Sequence, residues 1–484
     1  MQPGILAHLL LVVVFAGSCT STPPTLPDKM TAVENGLRDN IQIKGTANQV
    51  YSIADRMAYY QVPGVSVAVI EDGQVVWAKG YGTANATTGT QVDTLTLFQA
   101  GSISKPVAAM GALALVDQGV LTLDGDINTW LRDWKVADNA FTASEKVTLR
   151  RLLTHTAGLT VHGFPGYHPD SLLPSTREVL TGAGNTAAVV VDTTPGAIWR
   201  YSGGGYTVMQ LAVEDLTGIP FETFLQQTVL LPLGMMQSTY SNPLPEERHA
   251  QASAAYDRSG NIIPGDWHHY PEKAAAGLWT TPLDLARYLI AIQEAMAGKP
   301  HPVLSGSMIQ AMLEPDQNNW GLGPALSGEG ELLRFGHGGK NAGFTNNMTA
   351  FVRGGKGAIV MTNADRGNGL IQEILQAIAE VYQWPNYAVT TKTIAELRAD
   401  QVQQIVGTYR ADISGRTREV VVDLLDNGSF RVFSEGILDE IAWPENDSLL
   451  FSRSSEKLAT FQFDDTGRII SGRFMGNNLL KKVP

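Results

Sequence analysis

Ser102 and Lys105 stand three residues apart at the head of a segment with no polar face, and this pairing constrains the fold more than any other stretch. On a helix, positions i and i+3 share a face, so the lysine can sit against the serine hydroxyl. Unpaired N–H groups at a helix N-terminus also stabilise negative charge near Ser102. The residues that follow, Val107 to Val116, are apolar on every side. A helix apolar all round is a buried one, and Gly119 offers it a C-terminal stop. The segment therefore predicts a helix through the middle of its domain, with a serine at the base of a cleft. The same tetrad recurs at Ser454–Lys457 in a polar stretch with no such helix, where a solvated turn is expected.

With 484 residues the chain is long for one domain, and two are expected. A composition of 44% hydrophobic and 17% charged residues suits a globular protein with a sizeable core. The net charge of −12 argues against nucleic acid as a partner and offers no basic face for a membrane. Residues 5–16 form an apolar run too short to span a bilayer, followed by Gly17-Ser18-Cys19. That arrangement resembles a bacterial export signal ending in a lipobox, with lipid attached to Cys19. It departs from the pattern in having no Lys or Arg among the first eight residues and Ala16 where Leu is usual. The expectation is an exported protein of the cell envelope or periplasm, anchored through Cys19. This lone cysteine rules out an intramolecular disulfide, a Cys-based zinc cluster and an iron–sulfur centre. Residues 20–44 follow as a tether, Pro/Thr-rich at its start.

Within 45–390, residues 47–60 read as a helix. Two runs, 65–70 and 74–81, flank a Glu-Asp-Gly turn and read as a hairpin. Three further strands are expected at about 332–339, 347–353 and 357–362, and a helix at 368–382. Strands from both ends of the domain thus bracket a mostly helical middle. The fold class that follows is α+β: an antiparallel sheet flanked by terminal helices, with an inserted helical subdomain and a cleft between them.

Two glycine-rich segments belong to that cleft. Tyr201 precedes Ser202-Gly203-Gly204-Gly205 and an amphipathic helix carrying Val208, Leu211, Ala212 and Leu216. A tyrosine there serves either chemistry or the anchoring of the loop. His337-Gly338-Gly339-Lys340 lies along a strand edge whose glycines allow close approach to the backbone. A phosphate loop is the competing reading, but the Gly-Lys-Ser/Thr ending is not met, since Asn341 follows Lys340.

Ser-x-x-Lys, Tyr-Ser-Gly and His-Gly-Gly in this order resemble the serine β-lactamase and penicillin-binding protein superfamily. Within it the chain looks most like the class C β-lactamase-related group of D,D-peptidases, D-aminopeptidases and short-chain esterases. Flanking matches are Val62–Val69, Arg151–Leu159, Leu231–Met235 and Ala276–Ala286. The resemblance implies acyl transfer through a covalent intermediate, with Ser102 as nucleophile and Lys105 and Tyr201 sharing the proton traffic. An unshifted lysine, pKa ~10.4, costs roughly 4–5 kcal/mol to neutralise at pH 7, and an unshifted tyrosine about 4 to ionise. Which of the two is the base stays open at this stage. The backbone N–H groups of Ser102 and Lys340 would hold the oxyanion, each worth about 3–4 kcal/mol. His337 stands where relatives often carry Lys and, if protonated, would polarise the site or meet a substrate carboxylate. Many relatives have Tyr-x-Asn, whose amide contacts the substrate; here Gly203 offers no side chain, which tilts the expectation toward esters and small acyl groups. The substrate would be a small-molecule or peptide acyl compound, with a slowly deacylating penicillin-binding or cell-wall-sensing protein as the alternative. No cofactor or metal is implied, there being no His-Glu-x-x-His, and the lack of a Gly-x-Ser-x-Gly removes the usual α/β-hydrolase elbow.

His155 reads as satisfied packing, and the adjacent His268 and His269 would face opposite ways. From 395 to 484 short strands separated by Asp426-Asn-Gly428 and Asp464-Asp-Thr-Gly467 read as a small antiparallel barrel or sandwich.

Overall fold

The computed structural model describes residues 25–46, 49–387, 389–413, 416–435, 437–475 and 478–483. The chain is α+β, with an antiparallel seven-stranded sheet in one part and an all-β barrel in the other. Val65, Val67 and Val69 alternate with Ala68 and Ile70 along the strand Gly64–Glu71, and both sets are fully buried. A strand buried on both faces belongs at the centre of a sheet, covered on each side. Its partners are Gln74–Asn85 on one side and Gly357–Thr362 on the other, so distant parts of the sequence meet at mid-sheet. Phe344–Phe351 and Arg334–Asn341 extend the sheet beyond Gly357–Thr362.

One face, through Val67, Val360 and their neighbours, packs on the helices Ile53–Tyr60 and Gly367–Val381. The other face carries the helical layer with the Ser102 segment. The 47–60 helix expected from sequence starts only at Ile53, because Ser52 and Asp55 form a capping box that fixes its first turn. Residues 47–48 of that expectation lie outside the described residues. The strand expected at 332–339 is shifted to Arg334–Asn341, after a short turn at Gly330–Leu332. The middle is less helical than expected: long irregular connections, 154–175 and 182–202 among them, join its helices.

The segment 20–44 is not a tether throughout. Leu26–Glu34 is a helix capped by Thr25 and Asp28, and Val33 and Leu37 are buried with the Gly367–Val381 helix. Ile41–Ile43 then pairs in parallel with Thr390–Lys392. The Pro/Thr-rich start masked Met30 and Val33, three residues apart on this helix, which dock together with Leu37 just beyond its end.

From Gly407 to Lys482 eight antiparallel strands close into a barrel, the first pairing with the last. Its contact with the rest of the chain is partly ionic. Asp39 lies between Arg56, at 3.2 Å, and Arg453 of the barrel, at 2.7 Å. Phe451 packs with Ile41 and Ile43 beside this bridge.

Candidate active site

Ser102 sits half-buried on a single 3-10 turn, Gly101–Ile103, that runs straight into the helix Ser104–Asp117. Ser104 locks the junction: its Oγ donates to Gly101 O at 2.6 Å and accepts from Leu278 N at 3.0 Å. Every residue from Ser104 to Leu115 is buried, as the unbroken apolar run requires. Gly119 follows the helix with φ +72°.

Lys105 Nζ lies 2.9 Å from Ser102 Oγ and donates to Ala275 O at 2.8 Å. The side chain is almost wholly buried, and desolvation alone draws its pKa down to about 7. The amine also stands 4.9 Å from the ring centroid of Tyr201 and 5.7 Å from that of Tyr206. Tyr201 ends the loop that Ser202 converts into the helix Gly203–Thr217, the Ser202 hydroxyl accepting from Gly205 N at 3.0 Å. Burial raises the Tyr201 pKa, and a hydrogen bond with the Ser102 hydroxyl opposes the rise. Ser102, Lys105 and Tyr201 are thus brought together.

The strand Arg334–Asn341 closes the other side. A Cβ on Gly339 would lie 1.9 Å from Ala100 O, and one on Gly101, where φ is +55°, would lie 2.5 Å from Lys340 N. Glycine at both positions lets the strand edge press on the turn that carries Ser102. Gly338 meets nothing nearer than 3.9 Å, so close approach does not depend on it. Asn341 Nδ2 donates to Gln99 Oε1 at 2.8 Å and to Ala276 O at 3.0 Å, and Asn346 Nδ2 donates to Gln99 O at 2.8 Å. These bonds clamp the strand to the serine turn. The Lys340 side chain leaves the site, its Nζ donating to Asp365 O at 3.1 Å, so the backbone is what Lys340 presents to the turn at Gly101.

His337 is buried, and its pKa is pushed down to about 3, by desolvation first and by Lys105 second. The protonated form expected from sequence is therefore disfavoured at neutral pH. Its Nδ1 bonds to Gly338 O, and its Nε2 has no hydrogen-bond partner among the described residues.

Sequence reasoning missed the wall around Tyr201. His155 does pack, as expected, but against Tyr201 itself, with ring centroids 4.2 Å apart. Its Nδ1 accepts from Ser202 N at 3.1 Å, and its buried Nε2 has no partner among the described residues. Burial holds its pKa well below the usual histidine range. His162 and Trp320 stand 4.9 and 5.8 Å from the Tyr201 ring, and Trp199 packs on Trp320 at 5.4 Å. Only Trp199, two residues before Tyr201, carried a local signal; Trp320 arrives from another part of the chain. Segment 160–164 is bent by Val161, whose φ of +63° is strained for a β-branched residue, on the order of 1–3 kcal/mol. Gly203 begins its helix at the point where that segment crosses. His268 and His269 lie elsewhere, His269 bridged to Tyr167. Cys19 lies outside the described residues.

A family model described as Beta-lactamase matches residues 52–383. The chain is 27% identical over 379 residues to penicillin-binding protein 4 of Amycolatopsis lactamdurans, covering 73% of this chain and 94% of that protein. It is 28% identical over 194 residues to esterase EstB of Burkholderia gladioli, covering 38% of this chain and 48% of the esterase. Among solved structures, the octameric penicillin-binding protein homologue from Pyrococcus abyssi shares the fold, with a TM-score of 0.61 and 23% identity, covering 89% of this chain and 98% of that one.

Proposed function

The chain belongs to the beta-lactamase family of serine hydrolases, and from that premise we propose an acyl-transfer hydrolase in which Ser102 is the nucleophile, Lys105 the base and Tyr201 the acid. The observation that carries this reading is the buried Lys105 amine, 2.9 Å from the Ser102 hydroxyl with its pKa near 7. At pH 7 the neutral form of such a lysine costs under about 0.5 kcal/mol, against roughly 4–5 for an unshifted one. Tyr201 has moved the other way, so its phenolate costs more than the ~4 kcal/mol of an unshifted tyrosine. Burial favours the lysine as base.

Acylation then runs in balance. Lys105 takes the Ser102 proton as Oγ bonds to the acyl carbon, and the carbonyl electron pair moves to oxygen. That oxyanion lies between the N–H groups of Ser102 and Lys340. The ammonium formed on Lys105 faces the rings of Tyr201 and Tyr206, a cation–π contact that favours the charged state as it develops. The bond to the leaving oxygen or nitrogen breaks as Tyr201 protonates it, and Lys105 returns the proton to Tyr201. In the second half water attacks the acyl carbon, loses a proton to Lys105, and Ser102 Oγ leaves with it. One water is consumed, and an acid is released. His337, neutral, offers Nε2 as an acceptor for a substrate donor. His337, Gly338, Gly339 and Gly203 line the substrate's course in this reading.

Short-chain esters, small D-amino-acid peptides and β-lactams are the substrate classes. The absence of a side chain at Gly203 and the similarity to an esterase are the grounds on which we rank esters first. A protein that is acylated and turns over slowly is the second reading, supported by the name of the Amycolatopsis relative. Export to the cell envelope and a lipid anchor on Cys19 complete the proposal.

Turnover by protein lacking residues 1–24, set against its Ser102→Ala variant, tests it. The substrates are a short-chain p-nitrophenyl ester, a chromogenic cephalosporin and a D-Ala-D-Ala peptide. Ser102-dependent turnover is the expected result, fastest on the ester. A stoichiometric adduct without turnover moves the assignment to the second reading, and equal activity of parent and variant contradicts both.

A further inference from the structure

Gly203 invites a question that the three motifs leave unanswered: what occupies the place of a side chain there? Its main chain does not exclude one, because residue 203 opens the helix Gly203–Thr217 and its φ is not in the left-handed region. Phe164 excludes it. A Cβ built on Gly203 would lie 2.9 Å from Phe164 Cε2 and 3.1 Å from His162 O.

Phe164 is held there by design of the neighbouring chain. Ser202 Oγ donates to Thr160 O at 2.8 Å, Gly203 N to His162 O at 3.0 Å, and Gly204 N to Val161 O at 3.0 Å. These bonds fasten segment 160–164 along the start of the tyrosine helix. They also hold Val161 in its left-handed conformation. Backbone strain of this kind persists only where the surroundings impose it, and it concentrates at ligand-binding sites. Its outcome here is a turn that brings the His162 ring to Tyr201 and the Phe164 ring over Gly203. Trp199 and Trp320 pack on Tyr201 as well, at 6.4 and 5.8 Å, so the surroundings of that ring are aromatic.

We propose that Phe164 sets the acyl specificity of the site: its ring takes the space of a polar side chain at residue 203, and the site selects aromatic or branched aliphatic acyl groups over those ending in an amide. This deepens the reading of Ser102 as the acylated nucleophile and rests on it. An apolar acyl group gains ring contact and loses little on leaving water. An amide-ended one is desolvated against the ring and finds no partner on Gly203.

The test measures kcat/KM for p-nitrophenyl phenylacetate, acetate and succinamate. In the parent, phenylacetate exceeds succinamate by about ten- to a hundredfold. Phe164→Ala lowers the phenylacetate-to-acetate ratio about tenfold, while Phe164→Leu, which keeps an apolar side chain, loses less. Gly203→Asn with Phe164 in place weakens all three, because its Cβ meets the ring. Gly203→Asn combined with Phe164→Ala recovers activity and shifts preference toward succinamate, so the two substitutions are strongly non-additive. Melting curves confirm that each variant is folded. An unchanged phenylacetate-to-acetate ratio in folded Phe164→Ala, or additive effects in the cycle, overturns the proposal while leaving the nucleophile in place. Ser102→Ala on the same panel keeps the two apart: if it retains parental turnover, the catalytic reading itself has failed.

Discussion

The chain carries the same Ser-x-x-Lys spacing twice, and the two places differ in almost everything else. Around Ser102 the tetrad bridges a tight turn and a buried helix, and the buried Lys105 lies against the hydroxyl. Ser454 and Lys457 lie in the barrel between the strands Leu449–Ser452 and Ala459–Phe463. There the Ser454 hydroxyl donates to the Glu440 carboxylate at 2.7 Å, and Lys457 is exposed. Spacing alone therefore makes no nucleophile. Helical geometry aligns the pair, and burial lowers the lysine pKa.

Substitution of the two serines breaks the comparison most sharply. Ser102→Ala is expected to lower kcat for the preferred ester by about 10⁴-fold or more, with folding retained by circular dichroism. Ser454→Ala leaves the same rate within about twofold. Lys105→Ala follows, with a loss on the order of 10²- to 10⁴-fold, whereas Lys457→Ala has no effect on turnover. In the parent, kcat/KM falls about tenfold per pH unit below pH 7 and levels above it. Protonating Lys105 removes the proposed base, so activity is expected to be lost as pH drops through its pKa. A rate that is flat between pH 5 and 8 contradicts the assignment.

Two neighbouring glycines sharpen the same lesson about environment. Gly339→Ala pushes the strand off Ala100 O and displaces the Lys340 N–H, lowering kcat about 10²-fold. Gly338→Ala meets no atom nearer than 3.9 Å and is expected to cost less activity. The smallest effect is on the contact between the two parts of the chain. Asp39→Ala removes the bridge between Arg56 and Arg453, but Arg56 retains Glu373 and Arg453 is partly exposed. A loss of about 1–2 kcal/mol in urea unfolding is expected, with turnover per folded molecule maintained.

Much of this was legible in sequence for a physical reason. The short apolar run at 65–70, the turn at Asp72-Gly73 and the all-apolar run after Lys105 are local patterns, and local patterns dictate strands, hairpins and buried helices. Ser102, Lys105, Tyr201 and the His337–Lys340 strand were found by motif and order, and the fold carries them to one cleft. What escaped was set by distant contacts. Nothing around Trp320 or Phe164 announces proximity to Tyr201, and Phe164 matters through a space on Gly203 that no linear reading measures. His155 shows the limit of type-based reasoning: a packed histidine can pack on Tyr201, the tyrosine proposed as the acid. The helix Leu26–Glu34 was hidden behind its own Pro/Thr-rich lead, and the neutrality of His337 depends on burial that sequence does not reveal.

The central claim is that a neutral, buried Lys105 activates Ser102 and no other serine. Acylation by a fluorophosphonate, followed by intact-mass spectra and peptide mapping from pH 5 to 9, tests it most directly. The account predicts one adduct per molecule, on the peptide containing Ser102, forming at a rate that reaches half its plateau near pH 7. An adduct on Ser454 or elsewhere, or a Ser102 labelling rate indifferent to pH across that range, contradicts it.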